Sequence, residues 1–162
     1  MNGGGQFRRG VRLGIDWGAA RVGVAACDPE GLLAYPVETI PARDRDKALV
    51  RIAELAGERD PLEIVMGWPI ALSGREELAA ESVKGIAVRL AALVSMPVRL
   101  MDERMTTAQV NNQLGNLDTR KRRIIVDRAA ATGILESALS YERHTGTPPG
   151  QLVDHPWTKG EA

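Results

Sequence analysis

The chain has 162 residues and a mass of 17.5 kDa, with 44% apolar and 26% charged residues, which predicts one soluble domain around one hydrophobic core. Lys and Arg number 21 and Asp and Glu also number 21, and this zero net charge argues against binding nucleic acid through bulk charge. The single cysteine, Cys27, excludes an internal disulfide and a zinc cluster, and no apolar run or signal peptide indicates a membrane, so we expect a cytoplasmic protein.

The first half of the chain begins with strands. Residues 1–10 are rich in glycine and arginine, which predicts a flexible lead-in. Short apolar segments joined by turn residues at 11–16, 21–26 and 32–40 indicate three strands in an antiparallel meander. The apolar period then changes to that of a helix at 48–56.

The second half alternates strands and helices. We expect a strand at 62–66, a helix at 76–94, a strand at 98–101, a helix from Thr106 or Thr107 to residue 114, a polar basic loop, and a last helix at 124–141. This order predicts an α/β fold with a mixed five-stranded sheet, the later strands being parallel. The domain is predicted to span residues 11–142 and to be followed by a flexible tail at 143–162.

Acidic residues close two of these strands. Asp16 ends the first strand beside Trp17 and Gly18, where a lone aspartate is more often a turn residue. Asp102 and Glu103 follow the fifth strand, and either of them alone is more simply a solvated strand end. Because open α/β sheets gather ligands at the carboxyl ends of their strands, the three acids are candidates for one site.

Asp127 is the strongest candidate, because its helical position faces the core. Four apolar residues follow it on the same helix face: Ala131, Ile134, Leu135 and Ala138. An aspartate that complements the positive end of the helix is the alternative. That alternative explains its place along the helix but not its apolar face.

Carboxylates that converge at one site repel one another, which is costly unless cations are bound. Asp16, the pair Asp102 and Glu103, and Asp127 offer the hard oxygen ligands that Mg²⁺ or Mn²⁺ prefer. Two such ions about 4 Å apart can hydrolyse a phosphodiester bond, one activating the water and the other stabilising the leaving oxygen. The acids therefore predict a metal-dependent nuclease.

The charges are also segregated along the chain: residues 1–25 and 99–128 each carry a net charge of +3, whereas 26–98 carry −4 and 129–162 carry −2. Four consecutive basic residues lie just before Asp127: Arg120, Lys121, Arg122 and Arg123. Such a run is more often a solvated loop, but a phosphate backbone bound there would lie near the metals.

Further phosphate contacts are predicted from Arg21 and from Arg104, Thr106 and Thr107 near a helix N-terminus. Because aromatic residues make up only 4% of the chain, we expect recognition of backbone and shape rather than base stacking.

Together these residues resemble the YqgF/RuvX family over residues 11–142. Its opening DxGxxRxGVA motif matches residues 16–25, and the resemblance continues through 66–69, Ser73 and Gly74, 102–107, Lys121 and Arg122, and 126–127. The resemblance implies a ribonuclease-H-like fold and a nuclease that trims the 5′ end of precursor 16S rRNA, with Holliday-junction resolution as the competing assignment. It assigns the catalytic and metal-binding acids to Asp16, Glu103 and Asp127, preferring Glu103 to Asp102.

Two positions depart from the family pattern. Ala19 and Ala20 stand where Thr-Lys is usual, which removes a contact to phosphate, and Trp68 stands where leucine is common. Neither changes an acid, so they bear on the substrate more than on activity.

Other functions remain open at this point. A DNA junction resolvase would use the same chemistry, so the expected partner is structured RNA or branched DNA, and the chain is expected to be a monomer or a homodimer; a symmetric dimer would favour junctions. A non-catalytic nucleic-acid-binding module is a second alternative, but it has no use for repelling carboxylates. Sugar kinases and actin-like proteins also contain Asp-x-Gly turns, but they pair two such domains.

Overall fold

In the computed structural model, residues 6–69, 74–102 and 119–153 are described, except for the side chains of 74–80 and 119–129. Six strands form one mixed sheet: β1 (Leu13–Trp17), β2 (Arg21–Cys27), β3 (Ala34–Pro41), β4 (Ile64–Trp68), β5 (Val98–Asp102) and β6 (Gln151–Leu152). Their order across the sheet is β3-β2-β1-β4-β5-β6. The first three strands are antiparallel neighbours, whereas β1, β4 and β5 are parallel, which confirms the predicted mixed sheet. The sixth strand, antiparallel to β5, was not predicted.

The described residues contain three helices: α1 (Arg45–Arg59), α2 (Gly74–Leu93) and α3 (Thr119–Thr145). The helix predicted from Thr106 or Thr107 lies outside the described residues. The last helix begins five residues before its predicted start, so the basic run at 120–123 lies in its first turns and not in a loop. No glycine or proline separates this run from the apolar part of the helix, and Arg and Lys are good helix formers. Asp127 is therefore the ninth residue of α3, too far from the helix start for the dipole alternative to explain it.

Alternating side chains along the strands form two cores. On one face, Leu13 and Ile15 of β1 pack with residues of α1 and α2, such as Ile52 and Leu90. On the other face, α3 packs against β2, β4 and β5 through two smaller clusters. Their members are Ala25, Cys27, Ala34, Ala131, Leu135 and Leu139 in one, and Val65, Met101, Ile134 and Ala138 in the other. The sheet is therefore covered on both faces.

Gly14 sets how closely α3 approaches the sheet. A Cβ at this position would lie 2.8 Å from the carbonyl oxygen of Ala131 and 3.0 Å from the Cβ of Leu135. The main chain of α3 therefore rests directly on β1, and this contact fixes the height of the helix over the central strands.

Replacing Gly14 with alanine is expected to destabilise the protein by about 1–3 kcal/mol, because the backbone of α3 must move to admit the methyl group. Gly57→Ala is the matched control: nothing lies within 4 Å of a Cβ there, and alanine in a helix is favoured over glycine by up to about 1 kcal/mol. Chemical denaturation of both variants measures the two effects. Equal stabilities would contradict the close contact between β1 and α3.

A buried ionic cluster holds the N-terminal segment at the opposite edge of the sheet from the ends of the parallel strands. Arg8 donates to Glu142 at 2.6 Å and to Glu63 at 3.0 Å, and the buried Arg12 donates to Glu142 at 3.2 Å. Arg99 also donates to Glu63, at 2.9 Å. Residues 6–10 were expected to be a flexible lead-in, but Arg8 ties this segment to Glu63 and Glu142, two glutamates that are almost fully buried.

The cluster makes stability depend on pH. Burial opposes the charged form of Glu142, but the hydrogen bonds from Arg8 and the charge of Arg12 outweigh it and hold the pKa of Glu142 below its ordinary value of 4.5. A carboxylate with a lowered pKa contributes stability above its unfolded-state pKa and loses it as the pH falls through the folded-state pKa. The free energy of unfolding, measured by urea titration at several pH values, should therefore fall as the pH drops below 4.5, and Glu142→Gln should flatten this fall.

The chain stays ordered beyond the predicted domain end at residue 142. The last helix continues to Thr145, and residues 151–152 pair with Arg99 and Leu100 of β5. Gly150 permits this return, because its φ is +69° and a Cβ there would lie 2.2 Å from the carbonyl oxygen of Leu100. Residues 143–145 of the predicted tail thus belong to α3, and residues 151–152 belong to the sheet. None of the described helices is long and apolar enough to cross a membrane.

Candidate functional site

The carboxyl ends of the three parallel strands meet at one edge of the sheet. β1 ends at Trp17, β4 at Trp68 and β5 at Asp102. The register pairs Ile15 with Met66 and Trp68 with Asp102, so the three strand ends are level with one another. Ligands of open α/β sheets bind at such an edge, and we call it the carboxyl edge.

Asp16 lies one residue before the end of β1, half-buried, on the face of the sheet that α3 covers. Its neighbours Ile15 and Trp17 contribute to the core beneath α1 and α2, whereas Gly14, two residues earlier, contacts α3. Since strand side chains alternate between faces, Asp16 shares the face of Gly14. Asp16 is therefore next to the start of the α3 contact and close to solvent.

Glycines flank Asp16 on both neighbouring strands. Gly23 of β2 pairs directly with Asp16. Gly67 of β4 follows Met66, the partner of Ile15, and so lies at the level of Asp16 and on the same face. Neither β2 nor β4 therefore places a side chain beside Asp16 at this level.

Position 127 of α3 lies at the same height as Asp16. The helix rests on Gly14 at Ala131, and one helical turn of 5.4 Å leads back from Ala131 to position 127. Two residues of strand, roughly 6.6 Å, lead from Gly14 to Asp16 in the same direction. Helical spacing also puts position 127 in line with Ile134 and Ala138, which are buried against Val65 and Met101 of the sheet.

Of the two acids at the end of β5, the structure describes only Asp102. Val98 and Leu100 of β5 point into the core beneath α1 and α2. Because strand side chains alternate between faces, Asp102 is on the same face as these two residues and on the opposite face from Asp16. Met101 is on the face of α3. Glu103 lies outside the described residues.

A metal site of three described side chains is absent: no three His, Cys, Asp or Glu among them are placed to hold one ion. Glu103 and the side chain of Asp127, two of the three predicted ligands, are outside this set. The donor set is nevertheless the right kind, since three carboxylates are hard oxygen ligands suited to Mg²⁺ or Mn²⁺.

The chain is similar to known proteins over most of its length. Residues 10–141 match the family described as "RuvX: Holliday junction resolvase". The chain belongs to the RuvX family. Among RuvX relatives, the "Putative pre-16S rRNA nuclease" of Streptomyces avermitilis is 47% identical over 151 residues, covering 91% of this chain and 97% of the relative. The protein of the same name from Nocardioides sp. is 51% identical over 156 residues, covering 91% and 99%.

A solved structure has the same fold as this RuvX chain. It is that of "T. thermophilus RuvC in complex with Holliday junction substrate", with a TM-score of 0.58, 16% identity, and coverage of 86% of this chain and 98% of that one. The likeness confirms the predicted ribonuclease-H-like α/β fold.

The predicted phosphate contacts of this RuvX chain are only partly described. Arg21 begins β2 at the carboxyl edge, half-buried, and its carbonyl oxygen accepts from Gly18 at 2.9 Å across the β1–β2 turn. Arg104, Thr106 and Thr107 lie outside the described residues. The backbone of Arg120, Lys121, Arg122 and Arg123 forms the start of α3, the helix that carries Asp127. Arg21 and the basic run therefore lie on elements that reach the Asp16 region.

The structure also places the two departures from the family pattern. Ala19 and Ala20 are exposed in the β1–β2 turn. Trp17 and Trp68 are half-buried against the core beneath α1 and α2, on the opposite face from Asp16. The indole at position 68 is therefore a packing change on the face away from Asp16.

Sequence reasoning missed the glycines around Asp16. Gly14, Gly23 and Gly67 each lie inside a strand, where glycine weakens the strand and often marks the close approach of another backbone or of a ligand. That signal was available, but only the register between strands shows that the three glycines adjoin one acid.

Proposed function

We propose that this chain is a metal-dependent nuclease that processes the 5′ end of precursor 16S rRNA. One observation carries the proposal: Asp16 of β1 and position 127 of α3 lie at the same height, next to the contact between the two elements. Glycines of β2 and β4 lie at the level of Asp16 on either side of it. The names of the 43–51% identical relatives support the choice of substrate.

Asp16, Glu103 and Asp127 would hold Mg²⁺ or Mn²⁺. The alternation of β5 argues against Asp102 as a ligand, since Asp102 is on the opposite face of the sheet from Met101 and Asp16. When bound, the ions supply an activated water and stabilise charge on the leaving oxygen. A pair of ions, in place of one, is part of the proposal.

The chain's own contribution is positioning. The rigid contact at Gly14 fixes the distance between Asp16 and the α3 backbone that carries Asp127. Arg21 and the run at 120–123 hold substrate phosphates next to these carboxylates. Because backbone contacts serve RNA and DNA alike, they orient the scissile phosphate without reading its sequence.

Holliday-junction cleavage is the second candidate, favoured by the description of the matching family. Purified protein should therefore be given a precursor-16S leader RNA and a synthetic four-way DNA junction, with Mg²⁺ or Mn²⁺ and with EDTA as the control. We expect metal-dependent cleavage of the leader RNA that EDTA abolishes. Cleavage of the junction alone would transfer the function to DNA, and cleavage of neither substrate would refute the nuclease assignment.

A further inference from the structure

A second basic surface lies at the carboxyl edge, where β3 leads into α1. The amide of Ala42 donates to the carbonyl oxygen of Ala20 at 3.0 Å, and Pro41 pairs with Arg21. Residues 43–47, which follow directly, are therefore beside the β1–β2 turn. We call these five residues the β3–α1 corner.

Three cations of this corner are exposed and have no partner among the described residues. They are Arg43, Arg45 and Lys47. The two acids between them are engaged elsewhere. Asp44 caps α1, its Oδ1 accepting from the Lys47 amide at 3.2 Å, and Asp46 pairs with Arg89 of α2.

The other described arginine side chains all have partners. Arg8, Arg9, Arg12, Arg51, Arg89 and Arg99 bind carboxylates, Arg59 donates to a tyrosine hydroxyl, Arg143 donates to a carbonyl oxygen, and Arg21 is also partnered. Within this described set, Arg43 and Arg45 are the arginines whose side chains have no partner. Their position also opposes the fold, because cations at a helix N-terminus meet the positive end of the helix dipole. Their charges do not stabilise α1, so a stabilising role in the folded chain does not explain them.

The corner is close enough to Asp16 to contact the same nucleic acid. Asp16 pairs with Gly23 of β2, and Gly23 pairs with Thr39 of β3, so Thr39 lies two strand spacings from Asp16. Arg43 follows Thr39 by four residues. Strand geometry makes this distance roughly 15 Å. A nucleic-acid strand, which advances about 3.4 Å per base pair along a duplex, covers it in a few nucleotides.

We propose that the β3–α1 corner binds the phosphate backbone of the substrate a few nucleotides away from the cleaved bond. The inference rests on the proposed nuclease function and names a substrate-binding surface of that site. The occupant is a duplex arm of the RNA, bound through its phosphates by Arg43, Arg45 and Lys47.

The chain offers a charge-matched test. Arg43→Ala/Lys47→Ala removes one arginine and one lysine from the corner. Arg9→Ala/Lys84→Ala removes the same two residue types from exposed positions elsewhere, Arg9 being 80% exposed and paired with the exposed Glu30. All four side chains are exposed, so both double variants should melt within a degree or two of the parent.

Binding is measured on the leader RNA with its duplex arm, in EDTA, across a salt series. We expect the corner variant to bind about tenfold more weakly at moderate salt. The plot of log K against log salt should be less steep by about 1.5, since each lost phosphate contact removes ~0.7–0.9 from the slope. The Arg9/Lys84 variant should match the parent. Equal affinities and slopes for the two double variants would overturn the proposal.

Cleavage separates this inference from the proposed function. Two substrates are compared: the long leader RNA and a short RNA that ends beside the cleaved bond. We expect the corner variant, and not the Arg9/Lys84 variant, to lower several-fold the ratio of kcat/KM for the long RNA to kcat/KM for the short one. If the parent cleaves neither RNA, the nuclease function fails while the binding test still decides the corner. If the parent cleaves both and the corner variant keeps the parent's ratio, the corner is not a substrate surface.

Discussion

Asp16→Asn is expected to abolish metal-dependent cleavage, lowering kcat by at least about a thousandfold. A bound metal supplies several kcal/mol of stabilisation to the reaction, and each 1.36 kcal/mol is worth about tenfold in rate. Asparagine keeps the size of the side chain but lacks its charge, and Asp16 is only half-buried, so the variant should remain folded. Single-turnover cleavage of the leader RNA with Mg²⁺ or Mn²⁺ measures the effect, and circular dichroism checks the fold.

Asp102→Asn is the matched control for this prediction. Asp102 also lies at the carboxyl edge, but on the face of Val98 and Leu100, away from Asp16. Its amide variant should lose far less activity than the Asp16 variant. A loss of equal size would show that the ligands come from both faces of the sheet, which is incompatible with a site built on Asp16, Glu103 and Asp127.

Glu142→Gln is expected to lower the free energy of unfolding by about 3 kcal/mol. The Arg12 and Glu142 side chains are each only 2% exposed, and the variant leaves the Arg12 guanidinium buried without a counter-charge. Removing one partner from a buried ion pair typically costs 3–5 kcal/mol, whereas an exposed pair contributes little. Urea denaturation near neutral pH, where Glu142 is ionised, measures the change.

Glu30→Gln provides the comparison for the buried pair. It breaks the exposed pair with Arg9, whose nitrogen and oxygen are 3.4 Å apart, and should change stability by less than about 1 kcal/mol. If the two glutamine variants were equally stable, the cluster around Glu142 would contribute no more than a surface ion pair.

The sequence predicted the carboxyl edge well, because strand ends are visible in apolar patterning and Asp16 directly follows such a pattern. It was harder to predict which face of the sheet each side chain occupies. Asp102 and Glu103 are adjacent in the sequence, and only the register of β5 with β4 places Asp102 beneath α1 and α2. Sequence spacing alone does not reveal that the strands beside Asp16 carry glycines at its level.

The sequence is least informative for segments whose contacts are with distant residues. Residues 6–10 have a flexible composition, but Arg8 is held by Glu63 and Glu142, which lie 55 and 134 positions further along the chain. Residues 151–152 pair with β5 for a similarly non-local reason. The basic residues of the β3–α1 corner lie within a block of the sequence whose net charge is negative. Only the structure shows that the acids beside them are used to cap α1 and to pair with Arg89.

The ionic cluster has a consequence for synthesis of the chain. Arg8 and Arg12 precede Glu142 by 134 and 130 positions, so the cluster cannot close until the chain has been made as far as Glu142. An earlier part of the same helix, at Ala131, covers β1 at Gly14. A nascent chain that stops before α3 therefore has neither the ionic cluster nor the helix backbone that lies over β1, so this face of the sheet is covered only after α3 has been made.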